Sequence, residues 1–203
     1  MHSTRRWFLA VVAVLFLTQC SSCALWDYPP TNRNRQSETV GWMLKLNMAL
    51  ERVARECDAY PVDLSFTLGT DCSQPSALIR TLVEQKYLAE PIVCDGWNHV
   101  FQYATVNIGV PEVDPKTIPP KCRSLFGEHW VQNYVIYSPG RDGQPDCGLP
   151  RWIEKEQRFV LEGKTTPGCP SGCSSFDPSN YDCDILFSRT GLISGPQGGV
   201  GGD

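Results

Sequence analysis

The chain reads Tyr137-Ser138-Pro139-Gly140-Arg141-Asp142-Gly143 directly after a strand-like run, and it later reads Asp182-Cys183-Asp184-Ile185-Leu186. Each stretch joins a turn to a strand-like segment and contains acidic side chains with few basic neighbours. Carboxylates on a turn suit Ca²⁺, because this ion takes six to eight oxygen ligands in flexible geometry. The two stretches therefore predict an exported module stabilised by a metal ion.

Strand-like periodicity also occurs upstream of these stretches. Residues 100–106 and 131–137 are rich in β-branched and aromatic side chains and are predicted strands, and Ile185–Ser188 is a third, short one. Before residue 95 the periodicity is helical. A helix over 43–57 is predicted by apolar residues at spacings of three and four: Met43, Leu46, Leu50, Val53 and Cys57.

A second helix is expected after Ser73-Gln74-Pro75, with Ser73 as the N-cap and Pro75 in the first turn, and it should stop before Glu90-Pro91. Helices followed by strands predict an α+β domain. In it, one amphipathic helix packs on an antiparallel sheet of three or four strands.

The length of 203 residues fits one domain with a core of its own. Residues 25–37 are predicted to be a polar tether, and residues 38–194 form the domain. Two long loops are expected within it, at 107–122 and 139–183, and the second contains a cysteine-bearing insertion at about 145–181. The glycine-rich residues 195–203 form a flexible tail by composition.

The charge excludes one class of partner. The formal charge is −4, and without Arg5 and Arg6 of the predicted leader the chain keeps 16 basic and 22 acidic residues. An acidic chain without a stripe of lysines and arginines is not expected to bind nucleic acid.

The N-terminus has the pattern of a signal peptide over residues 1–24. A basic head with Arg5 and Arg6 precedes the apolar run 11–17, and small residues follow. The arginine pair also fits a twin-arginine signal. Three processing sites remain open: lipidation at Cys20, lipidation at Cys23, or cleavage after Ala24. The chain is therefore expected in the periplasm or cell envelope, with the extracellular space as the alternative and a lipid anchor as its one means of membrane attachment.

Eight cysteines follow the leader, which is an even number: Cys57, Cys72, Cys94, Cys122, Cys147, Cys169, Cys173 and Cys183. In an exported chain they are expected to form four disulfides. The pairing expected here is Cys57–Cys72, Cys94–Cys122, Cys147–Cys183 and Cys169–Cys173.

Three stretches, in order, carry a family resemblance. The run from Cys94 to Tyr103 resembles the Asp-Pro-Trp-Gly-Asn-Pro-Tyr segment that precedes the sheet in the major pseudopilins of type II secretion systems. Tyr134 to Gly143 resembles that family's Tyr-Asp-Leu-x-Ser-x-Gly-Ala-Asp-Gly, and Cys183-Asp184-Ile185 resembles its closing Ala-Asp-Ile. The resemblance covers about residues 38–194 and implies a pseudopilin-like α+β domain.

The resemblance also implies a calcium site, with Asp142, Asp182 and Asp184 as its carboxylates. The chain departs from the family in two respects. It lacks the prepilin peptidase site, so it is not expected to polymerise as a pilus subunit, and 41 residues separate Asp142 from Asp184. The alternative is that Asp142-Gly143 is only a turn and that disulfides replace the metal.

Two functional hypotheses follow. The first is a non-enzymatic, envelope-associated protein whose partners are proteins, such as subunits of the secretion machinery. The second is a small exported enzyme or carbohydrate-binding protein that uses the 139–183 insertion. For an enzyme, His99 and His129 are available, but no nucleophile elbow accompanies them. The aromatic residues Trp97, Tyr103 and Trp130 are expected in the core rather than on a sugar-binding surface.

Overall fold

The computed structural model of the protein describes residues 31–144, 150–160, 181 and 184–194. The predicted leader with Cys20 and Cys23 lies outside these residues, as do residues 25–30 of the predicted tether and the glycine-rich tail. Asp182, Cys147, Cys169, Cys173 and Cys183 also lie outside them. The predictions on these residues therefore stay predictions.

The described residues confirm an α+β fold. Three α-helices lie within the described residues: Asn32–Cys57 (α1), Ala77–Glu84 (α2) and Pro120–Phe126 (α3). The same part of the chain forms ten strands: β1 Tyr60–Pro61, β2 Gly69–Asp71, β3 Gln74–Pro75, β4 Gln102–Ala104, β5 Trp130–Val131, β6 Val135–Ser138, β7 Arg151–Ile153, β8 Arg158–Val160, β9 Ile185–Ser188 and β10 Gly191–Ser194. Short 3₁₀ turns lie at Val106–Ile108, Pro115–Thr117 and Glu154–Glu156.

Helix α1 contains the predicted 43–57 helix but begins at Asn32. The predicted tether boundary at residue 37 is therefore wrong, because the polar residues from Asn32 to Ser37 form the first turns of α1. The predicted apolar positions are all buried. The helix ends at Cys57, as predicted. Asp58 takes a left-handed conformation with φ of 61°, and Tyr60–Pro61 forms β1.

The start of α2 differs from the prediction. Its N-cap is Ser76, whose hydroxyl accepts a hydrogen bond from the Ile79 N–H. Ser73 instead donates its N–H and its hydroxyl to Asp71 Oδ1, in the turn between β2 and β3. Gln74–Pro75 is a strand because it pairs with Gly69–Asp71. Two serines three residues apart each precede the apolar run, and the local pattern alone did not separate them.

The main sheet has four antiparallel strands in the order β10-β9-β6-β4. Ile136 of β6 lies between Tyr103 of β4 and Phe187 of β9. The predicted strand Ile185–Ser188 is confirmed. The predicted strand 131–137 is divided into β5 and β6, because Asn133 interrupts it and accepts the Tyr134 N–H on its own side chain.

Helix α1 contacts strands β1 and β9, and its buried side chains share one core with the sheet. Tyr134 lies at the centre of an aromatic group in this core, with ring centroids 4.8 Å from Tyr60 and 5.6 Å from Tyr103. The Tyr103 hydroxyl donates to the Pro61 carbonyl at 2.9 Å. The Tyr134 hydroxyl also donates to Asn47 of α1, so this aromatic group connects the helix to the sheet.

Both predicted long loops contain regular structure. The 107–122 loop has two 3₁₀ turns and enters α3, which has prolines at its first positions. The 145–181 insertion contains the β7–β8 hairpin, in which the Trp152 and Phe159 rings pack edge to face at 4.9 Å. These elements are too short for sequence periodicity to reveal.

Two disulfides form among the described residues, Cys57–Cys122 and Cys72–Cys94. The expected pairs Cys57–Cys72 and Cys94–Cys122 are therefore wrong, although the four cysteines are all paired. The first disulfide joins α1 to α3, and the second joins the β2–β3 turn to the residue before Asp95. Disulfides fit an oxidising compartment and hence an exported protein. Within the ranges described, no helix is long and apolar enough to cross a membrane.

Candidate functional site

The turn from Asp95 to His99 is organised around a buried carboxylate. Asp95 is 1% exposed, and its Oδ1 accepts the N–H groups of Trp97 and His99, both at 2.9 Å. Asn98 completes the turn with φ of 67°, a conformation that asparagine tolerates better than most residues. The Cys72–Cys94 disulfide fixes the chain directly before this turn.

The second carboxylate oxygen of Asp95 binds the sheet. Ser138, the last residue of β6, donates its hydroxyl to Asp95 Oδ2 at 2.6 Å and is fully buried. The same hydroxyl oxygen accepts the Gly140 N–H at 3.3 Å. Three donors therefore satisfy the carboxylate, which a buried charge requires.

His99 holds the 139–144 turn from the other side. Its Nδ1 lies 2.8 Å from the Gly140 carbonyl oxygen, and since a carbonyl only accepts, Nδ1 bears the proton. The same nitrogen is 3.7 Å from Asp95 Oδ2. Gly143 packs against the ring with φ of 69°, and a Cβ there would be 2.8 Å from His99 Nε2. Both facts require glycine at this position.

Ser138, His99 and Asp95 are the residue types of a hydrolase triad, but their arrangement differs. The hydroxyl of a nucleophilic serine donates its hydrogen bond to the histidine, whereas the Ser138 hydroxyl donates its hydrogen bond to Asp95. Ser138 is also buried, and His99 uses its protonated nitrogen to hold a backbone carbonyl. This geometry positions a turn and does not activate a nucleophile.

Helix α1 meets the same turn through Thr39. The Thr39 hydroxyl accepts the Gly96 N–H at 2.9 Å and donates to the Arg35 carbonyl at 2.8 Å. A Cβ on Gly96 would lie 2.3 Å from that carbonyl oxygen. The Asp95 turn is thus a junction of helix α1, strand β6 and the 139–144 turn, and glycine at 96 allows the helix to approach.

The predicted calcium residues are placed differently from one another. Asp142 is exposed, and its Oδ1 accepts the Gln144 N–H at 3.0 Å. Asp184 is buried, directly before β9. The Arg141 N–H donates to the Tyr181 carbonyl at 2.9 Å, so the turn lies beside the chain that leads into β9. No three His, Cys, Asp or Glu side chains within the described ranges form a group that could hold a metal ion.

The two histidines predicted for an enzyme contact different residues, and the predicted aromatic core residues are buried. His129 Nδ1 lies 3.4 Å from Glu112 Oε1, whereas His99 contacts Asp95 and Gly140. Trp97, Tyr103 and Trp130 are 7%, 0% and 0% exposed, which confirms them as core residues.

Asp95 is predicted only as part of the resembling run from Cys94 to Tyr103, and His99 also as a residue available to an enzyme, but no sequence signal connects Asp95 to Ser138. Their partnership spans 43 positions. One local signal was present: an aspartate four residues before a histidine, with Gly and Asn between them, is typical of a turn whose carboxylate accepts backbone N–H groups.

No protein-family model matches the sequence, and no curated protein or solved structure is significantly similar to it. The geometry of the described residues is therefore the basis for the function proposed next.

Proposed function

We propose that the chain is an exported, non-enzymatic protein of pseudopilin type that acts through protein–protein contacts at the cell envelope, in association with a type II secretion system. The observation that carries the proposal is the junction at Asp95. There the first resembling stretch hydrogen-bonds directly to the second, through Ser138 and His99.

The order of elements supports the proposal further. The Asp95 turn leads into β4, the Tyr134 stretch forms β6 and its turn, and Asp184 leads into β9. These strands are neighbours in that order, β4-β6-β9, in one antiparallel sheet. The three resembling stretches thus belong to one sheet, as a single pseudopilin-like domain would require.

Calcium is part of this proposal. Asp142, Asp184 and the undescribed Asp182 would supply carboxylates where the 139–144 turn meets the chain before β9, as the Arg141–Tyr181 hydrogen bond supports. If calcium binds the folded state there, millimolar calcium raises the melting temperature by mass action and chelator removes the gain. In the Asp142→Asn variant the gain is expected to shrink. An unchanged melting temperature in calcium would favour a turn held by hydrogen bonds and disulfides alone.

Localisation is proposed from the disulfides together with the predicted leader. The protein would reside in the periplasm, anchored by lipid at Cys20 or Cys23 or free after cleavage at Ala24. In either form the folded domain is available to envelope proteins, which is what an interaction module requires.

Co-purification from the native envelope tests the proposal. The tagged protein should be recovered with secretion-machinery subunits after mild solubilisation. A fusion of residues 1–31, which precede α1, to an unrelated folded domain controls for recovery that depends only on the leader. A solitary monomer with hydrolytic turnover would overturn the proposal.

A further inference from the structure

A groove lies between helix α1 and the segment 87–92 that follows α2. Its volume is about 290 Å³, close to the lower end of the roughly 300–1,000 Å³ that is typical of ligand sites. A space of this size accommodates one or two side chains.

The middle of the groove is apolar. Ala49, Leu88 and Ile92 are buried at its floor, and Met48 at its edge is 65% exposed. Leu44, one helical turn before Met48, is 45% exposed. A large apolar side chain left in water at the edge of an apolar groove, as Met48 is, favours the burial of another apolar group there.

The two ends of the groove differ in charge. At one end Lys45 Nζ lies 4.0 Å from Glu90 Oε1, so the two charges offset each other. At the other end the Arg52 Nη1 donates to the carbonyls of Lys86 and Tyr87, both at 3.3 Å, and the guanidinium lies over the Tyr87 ring at 5.2 Å.

Two backbone carbonyls and the Tyr87 ring hold Arg52 in place. Within the described part of the chain, no carboxylate pairs with it, and its Nε and Nη2 donors have no partner. A guanidinium whose position is already fixed loses little freedom when it binds a carboxylate, and its planar donors match the two carboxylate oxygens. The groove thus offers an apolar space beside a single available positive charge.

We propose that this groove binds a protein segment that presents a branched apolar side chain next to a carboxylate, such as a chain ending in leucine. The side chain fills the space above Leu88 and Ile92, and the carboxylate pairs with Arg52. The inference does not depend on a pseudopilin-like role, because it rests on α1 and the 87–92 segment alone.

A matched pair of small probes tests it by NMR on the isotope-labelled mature protein. N-acetyl-leucinate presents the side chain and the carboxylate, and N-acetyl-leucinamide lacks only the charge. We expect saturable shifts of the Met48, Arg52 and Ala89 amides with a dissociation constant on the order of 1–10 mM for the acid. The amide should bind about three- to fivefold more weakly, as an exposed ion pair predicts.

Two variants test whether Arg52 is the origin of the preference for the acid. Arg52→Gln should abolish the preference for the acid over the amide. Arg55→Gln, which removes an exposed positive charge from the same helix outside the groove, should keep it. Groove amides that do not shift, or equal binding of the two probes, would overturn the inference. Shifts that depend on protein concentration without any probe would overturn it in favour of a second copy of this chain as the occupant.

Discussion

Asp95 is an almost fully buried carboxylate that accepts two backbone N–H groups and the Ser138 hydroxyl. Removal of one donor leaves part of a buried charge without a partner, which costs more than the loss of an exposed hydrogen bond. The junction therefore depends on the whole set of donors.

Ser138→Ala tests this dependence. The variant removes the 2.6 Å hydrogen bond to Asp95 Oδ2, and we expect the free energy of unfolding to fall by about 2 kcal/mol, as is typical of a hydrogen bond to a charged group. Ser37→Ala, at an exposed position of α1, is the control and should change stability by no more than about 0.5 kcal/mol. Urea denaturation measures both. Equal stability of the two variants would contradict the role given to Asp95.

The buried tyrosines give the protein a defined response to alkaline pH. Burial raises the pKa of Tyr103 and of Tyr134 well above the ordinary value, and burial with the Glu51 hydrogen bond raises the pKa of Tyr60. Since each folded pKa lies above the unfolded one, the associated stability is fully present below pH about 10 and is lost as the pH rises further.

Absorbance of tyrosinate near 295 nm checks this expectation. In the native protein these three tyrosines should stay protonated at a pH where the urea-unfolded chain has ionised all of its tyrosines. Identical native and unfolded titration curves would show that the aromatic group is not buried as described.

At the scale of elements, helix α1 lies so close to the Asp95 turn that there is no room for a side chain at residue 96. Gly96→Ala would place a Cβ 2.3 Å from the Arg35 carbonyl oxygen, which is backbone and cannot move aside cheaply. We expect a loss of about 2–3 kcal/mol, as for other overpacked sites.

Gly41→Ala is the matched control within α1. A Cβ there meets nothing within 4 Å, so the same substitution should stabilise the protein by about 0.5–1 kcal/mol through helix propensity. Opposite signs of the two changes in thermal unfolding are the expected result. A neutral Gly96→Ala would mean that α1 does not approach the turn closely.

What the sequence could predict differs between elements for physical reasons. Apolar residues recur at helical spacing over 43–57, so this part of α1 could be predicted. The first turns of α1, Asn32–Ser37, are polar and have no such repeat, so they were not predicted. Strand β9 was predicted because four consecutive residues favour a strand. The two- to three-residue strands of the β7–β8 hairpin form through tertiary packing and leave no period to detect.

In the candidate site too, local features could be predicted from the sequence and long-range contacts could not. The turn at Asp95 has a local signature, but its partner Ser138 and the disulfide partner of Cys57 lie far along the chain. The even number of cysteines predicted that they form disulfides. Which cysteines pair depends on the distances between them in the folded chain.

At the scale of the whole molecule, one arrangement connects the elements to the proposed function. Helix α1, the β2–β3 turn and the sheet all meet at Asp95, through Thr39, the Cys72–Cys94 disulfide and Ser138. This junction leaves the outer face of α1, with Leu44 and Met48, exposed to solvent. Exposed apolar side chains on a helix face are suited to contacts with other proteins.

Photo-crosslinking in the native envelope tests the central claim most directly. A photoreactive benzoyl-phenylalanine would replace, one at a time, the exposed residues Leu44, Met48 and Leu64. We expect a discrete adduct with a subunit of the secretion machinery from at least one of these positions. Irradiation that yields no protein adduct from any of them, with the protein present and folded in the envelope, would contradict it.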